Sequence, residues 1–142
     1  MMNIDGPIIV IEDDLEDQFL IGETFKNLAY GNQILFFEDG IKAMEYLDTT
    51  NSKPLLILSD INMPKMNGLE IRDVVHNHEQ ESIKCIPYLF FTTGANQQLV
   101  IDAYSTSVQG FFKKPASFDD FERTIRTIVD YWKECISPAE FL

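Results

Sequence analysis

The chain has 142 residues, of which 45% are hydrophobic and eleven are Phe, enough to bury one core of ordinary size but not two. Twenty-three acidic against eleven basic residues give a net charge of −12, which repels phosphate backbones and anionic membrane surfaces, so neither nucleic acid nor membrane is expected as a partner. Neither a basic leader nor the roughly 18–20 apolar residues of a membrane span is found, and Cys85 and Cys135 lack metal-ligand spacing; a soluble cytoplasmic chain with two free thiols is expected.

The first apolar run, IIVI (8–11), is predicted as a strand and stops at Glu12, Asp13 and Asp14. Helical spacing follows over 15–29. The second run, ILFF (34–37), stops at the turn Glu38, Asp39, Gly40, and a helix is predicted over 41–47. The third, LLIL (55–58), stops at Ser59 and Asp60; the loop INMPKMNG and a helix over 69–75 come next. The fourth, YLFF (88–91), stops at Thr92 and Thr93, and a helix is predicted over 97–105. The fifth, GFF (110–112), ends in Lys113, Lys114 and Pro115, before a helix whose apolar face runs from Phe118 to Trp132 and whose start is marked by Ser117 and Asp120.

Continuous apolar runs suit strands covered on both faces, and strands alternating with helices imply right-handed crossovers. The expected architecture is a doubly wound α/β sandwich of five parallel strands and five helices. It forms a single domain over 1–142, with its core at about 6–134 and a short tail at 135–142. Ligands of such sheets bind at the carboxyl ends of the strands, where strand order reverses.

The residues at those ends suggest a chemistry. Acids after the first and third strands become neighbours if the strands do, and close carboxylates raise one another's pKa or recruit a cation. Mg²⁺ is the hard cation suited to a few carboxylates, water and a substrate phosphate. Lys114 would add fixed positive charge and Thr92 a hydroxyl donor, while Asp60 is a nucleophile able to form an acyl phosphate.

In order, IIVIEDD, LLILSDINMPKMNG, IPYLFFTTG and GFFKKP resemble the receiver domain of bacterial two-component response regulators, over residues about 6–134. The element Asp60, Met63, Pro64, Met66 and Gly68 is its most specific part. The resemblance implies the flavodoxin-like sheet order 2-1-3-4-5 and makes Asp60 the phospho-acceptor. It implies that Asp13 binds Mg²⁺ directly, Glu12 through water and Asn62 through its backbone carbonyl. Thr92 becomes the switch hydroxyl, Lys114 the lysine that pairs with the phosphoryl group, and Lys114-Pro115 a candidate cis peptide. Phe111 stands where many members carry Tyr; a rotamer switch there would work without a hydroxyl. The pairs Asp13/Asp14 and Thr92/Thr93 leave an alternative for the acidic pair and for the switch. Implied partners are a sensor histidine kinase or histidine phosphotransfer protein and a downstream protein. A homodimer is compatible with the sequence, and no room is left for an output domain.

Other features have plainer readings. Glu16 and Asp17 suit the start of a helix as solvated acids, Lys113 faces solvent, and Met63 and Met66 pack the loop. His76 and His78, two apart on a helix, point away from each other and make a poor metal pair. Trp132 closes an apolar helix face. Against a phosphatase of the haloacid-dehalogenase type, Asn62 stands where a second acid is needed. Against flavin binding, EDDLED follows the first strand in place of a phosphate loop.

Overall fold

Alternate residues of each central apolar run point to opposite sides of one sheet. Ile8 and Val10, Leu56 and Leu58, and Leu89 and Phe91 enter one apolar cluster, whereas Ile9 and Ile11, Ile57, and Tyr88 and Phe90 enter the other. The runs are continuous because both faces are covered. The computed structural model describes residues 3–142; Met1 and Met2, which begin the expected domain, lie outside the described residues.

The five strands are β1 (Ile8–Ile11), β2 (Ile34–Phe37), β3 (Leu56–Ser59), β4 (Tyr88–Thr92) and β5 (Gly110–Lys113). They pair in parallel in the order β2-β1-β3-β4-β5, as the resemblance implied. The helices are α1 (Leu15–Leu28), α2 (Gly40–Thr49), α3 (Gly68–His76), α4 (Glu81–Lys84), α5 (Gln97–Ser105) and α6 (Phe118–Glu134). Ile21 and Phe25 of α1 and Phe121, Ile125, Ile128 and Val129 of α6 cover one face of the sheet. Ala43, Leu47, Ile71, Val75 and Ala103, from α2, α3 and α5, cover the other.

Each of the five longer helices starts at a side chain that accepts a main-chain N–H: Asp14, Asp39, Asn67, Asn96 and Ser117. Such caps contribute about 1 kcal/mol each, and they place the helix starts close to the strand ends. The one-turn α4 was not anticipated. Four residues, ESIK, are too few to display a helical period, and the turn is held by burial of Ile83. The tail carries a 3-10 turn at Pro138–Phe141.

Two close approaches fix the loop after β3. A Cβ on Gly68 would lie 2.2 Å from the Asp60 carbonyl oxygen and 2.9 Å from the Ile61 Cα, so α3 begins directly against the main chain of Asp60. The Gly68 N–H donates to Ile61 O at 2.9 Å and seals this contact. Farther along α3, the fully buried Arg72 reaches the C-terminal end of α5. Its Nε donates to Thr106 O (3.1 Å) and its Nη2 to Ser107 O (2.7 Å), and the guanidinium lies 5.6 Å from the Tyr88 ring centroid.

Gly68→Ala is therefore expected to lower stability by roughly 1–3 kcal/mol, because the added methyl meets backbone that must move. Urea titration checks this, with a lower midpoint at unchanged slope as the expected result.

Candidate functional site

Parallel pairing continues one residue past the strand ends and holds the functional groups in place. Glu12 N donates to Phe37 O (2.9 Å), Asp60 N to Ile11 O (2.9 Å) and Lys114 N to Thr92 O (2.8 Å). The first residue beyond β1, beyond β3 and beyond β5 is thus fixed by a main-chain hydrogen bond to the adjacent strand. Strand order reverses between β1 and β3, so the loops after them diverge and open a crevice at this edge.

Ligand oxygens of Glu12, Asp13 and Asp60 lie within 4.8 Å of one another. Glu12 is buried, Asp13 and Asp60 half-buried. Asp60 is further set by the Ile61 N–H, which donates to Oδ1 at 2.8 Å. Asp14 stands apart as the exposed N-cap of α1, accepting from Asp17 N at 3.0 Å. Its carboxylate is occupied in starting the helix, which favours Glu12 and Asp13 as the acidic pair. Asn62, in the loop two residues beyond Asp60, is exposed and its side chain borders Gly94 after β4.

The Lys114 ammonium is buried among acids. It hydrogen-bonds Glu12 Oε1 and Asp17 Oδ2, the latter at 2.7 Å, and lies 3.6 Å from Asp60 Oδ2 and 6.0 Å from the Phe91 ring centroid. Burial alone would depress its pKa, but the hydrogen bonds to Asp17 and Glu12 outweigh that and hold it above its ordinary value. Burial pushes the Glu12 carboxyl up to about 7, against the hydrogen bond from Lys114, and the neighbouring Asp60 charge adds to the rise. One ammonium thus faces three carboxylates, with Asp13 a fourth acid in the same cluster. The excess negative charge and the all-oxygen donor set fit a hard divalent cation such as Mg²⁺.

Thr92 ends β4 and is buried at the rim of the crevice, whereas Thr93 is exposed, so only the first lies in the packed interior. Phe111 is half-buried, its ring edge-on to Phe90 at 6.1 Å between centroids. Two sequence expectations need correction. The Lys114-Pro115 peptide is trans, the isomer favoured before proline by about 0.5–1 kcal/mol when nothing enforces cis. Asp17 is more than a solvated helix-start acid, because its carboxylate reaches the buried lysine. Its position at the third residue of α1 gave no signal, since the contact spans 97 residues of sequence.

The chain matches the family model of the response regulator receiver domain over residues 8–126. It belongs to that family. Receiver domains of response regulators are signalling domains, and phosphorylation on aspartate is a property of the family. The chain is 31% identical over 129 residues to the probable methanogenesis regulatory protein FilR2 of Methanothrix harundinacea, covering 88% of this chain and 82% of that one. It is 28% identical over 138 residues to response regulator Rcp1 of Synechocystis, covering 93% and 92%. Among solved structures it is similar to the phosphorylated cyanobacterial phytochrome response regulator RcpA, with TM-score 0.84 and 27% identity over 94% of this chain and 98% of that one. The Mn²⁺-bound form of Rcp1 gives 0.80 at 27% identity, over 93% and 97%. No helix among the described residues is long and apolar enough to cross a membrane.

The raised Glu12 pKa has a testable consequence for the metal-free receiver. Between the unfolded value of 4.5 and about 7, the folded chain binds a proton that the unfolded chain releases, so this group's contribution to stability declines as pH rises through that window. The decline, on the order of 1–3 kcal/mol, should be absent in Glu12→Gln and offset by millimolar Mg²⁺ at pH 8. Urea midpoints between pH 5 and 8, with and without Mg²⁺, measure it.

Proposed function

We propose that the chain acts as a stand-alone receiver domain over 1–142 that takes a phosphoryl group from a phosphohistidine onto Asp60 and signals through contacts with another protein. The observation that carries this reading is the half-buried Asp60 carboxylate at the carboxyl end of β3, beside the Glu12 and Asp13 oxygens and 3.6 Å from the Lys114 ammonium. The donor is a sensor histidine kinase or a histidine phosphotransfer protein. Mg²⁺ would be held by Asp13, Asp60, the Asn62 carbonyl and, through water, Glu12, and it would supply positive charge against the developing phosphoryl oxygens.

An Asp60 carboxylate oxygen attacks phosphorus in line, a P–O bond forms, and the P–N bond to imidazole breaks with its electron pair leaving on nitrogen. The imidazole departs neutral once that nitrogen is protonated. Lys114 offsets the repulsion between nucleophile and phosphoryl group. Thr92, the next inward hydroxyl, turns its O–H toward the new phosphate, and Phe111 fills the space this leaves toward Phe90. These two moves bias the surface formed by α5, β5 and α6 toward a second arrangement that a downstream protein reads. The receiver works on its own phosphoryl group and not on a diffusible substrate.

Incubation with acetyl phosphate and Mg²⁺, followed by intact mass and peptide mapping, tests the assignment. A phosphoryl adduct on the Asp60 peptide is expected in the wild type, and none in Asp60→Asn. An adduct that survives Asp60→Asn would place the acceptor elsewhere. Thr92→Ala should keep the adduct while uncoupling it from output binding.

A further inference from the structure

The resting position of Lys114 raises a question of competition. Among the described residues its two hydrogen bonds go to Glu12 and Asp17, while Asp60 lies beyond hydrogen-bond distance at 3.6 Å. A phosphoryl group on Asp60 presents three oxygens; the ammonium has one N–H beyond the two already engaged, and any further bond to that group draws it off Glu12 or Asp17.

The two acids differ in what it costs to release them. The Glu12 side chain is 2% exposed and that of Asp17 is 29% exposed, so a freed Asp17 can be rehydrated where a freed Glu12 cannot. Glu12 also accepts the Asp14 N–H at 3.2 Å and remains anchored when the lysine moves. Asp17 belongs to the first turn of α1, whose start is held by the Asp14 cap and not by the loop that carries Asp60.

We propose that Asp17 is a positioning residue: it holds the Lys114 ammonium back from Asp60 in the resting receiver, and its release of that ammonium accompanies phosphoryl acceptance. The role rests on the reading of Asp60 as acceptor. Asp17 touches neither the acceptor nor a phosphodonor and acts only through Lys114. It sets how readily the lysine answers the incoming charge, and so the rate at which a given donor is used.

The test is a double-mutant cycle on the full chain, with initial rates of adduct formation from acetyl phosphate and Mg²⁺ read by intact mass. Asp17→Asn is expected to raise the rate roughly three- to tenfold and Asp17→Glu to keep it near wild type. Glu16→Gln, which removes the same charge from an exposed neighbouring position, should change it less than twofold. In a Lys114→Gln background, Asp17→Asn should have no effect. An equal acceleration in that background would mean that Asp17 acts as simple repulsive charge and would overturn the proposal, as would a rate in Asp17→Asn equal to wild type. The ¹⁵Nζ resonance of Lys114, recorded without phosphodonor and assigned by its loss in Lys114→Gln, should shift in Asp17→Asn; an unmoved resonance overturns the proposal whatever the labelling shows. A wild type that takes no phosphoryl group sinks the acceptor reading itself, whereas a labelled wild type with an indifferent Asp17→Asn sinks only the role of Asp17.

Discussion

A buried ammonium organises this receiver. Removing the Lys114 charge from water costs several kcal/mol unless it is paired, and clustering carboxylates at the ends of β1 and β3 is also unfavourable unless a cation lies among them. Each penalty is reduced by the other's presence. Lys114 arrives from β5 at the far side of the sheet from β1, so its contact with Glu12 requires all of the intervening strands to be in register. Assembly of the site therefore requires a complete sheet.

The pairing is incomplete by design of the sequence. One lysine cannot neutralise Glu12, Asp13, Asp17 and Asp60 together, and the deficit is what suits the cluster to a divalent ion. Burial also separates the roles open to the acids at the crevice. A carboxylate as buried as Glu12 would be reluctant to ionise and a poor nucleophile, whereas Asp60 keeps partial access to water and lies within reach of the positive charge.

Much of this was legible in the sequence because it depends on short-range pattern. Continuous apolar runs marked the five strands, and Glu12, Asp60 and Lys114, one or two residues after three of them, proved to be held by the final ladder hydrogen bonds. What was not legible depends on distance in the chain or on brevity. Asp17 looked like any acid in a first helical turn until the fold brought β5 beside it. The four-residue α4 carried no period, and nothing in the sequence pattern singled out Arg72, which is buried against the end of α5. The trans peptide at Lys114-Pro115 departs from the isomer that the resemblance implied.

Arg72 differs from Lys114 in what answers its charge. It meets main-chain carbonyls at the end of a helix, the face of Tyr88 and the His76 ring (Nη2 to Nδ1 3.4 Å), with no carboxylate among its described contacts. Peptide dipoles do not titrate and, buried, are little screened by dissolved ions. The brace that Arg72 makes to the carbonyls at the end of α5 should thus keep its strength across changes in salt to which the cluster around Lys114 responds. The molecule combines an ion-sensitive centre with a frame far less sensitive to salt, so a change in ionic strength can act on the acid cluster around Lys114 without loosening the brace between α3 and α5.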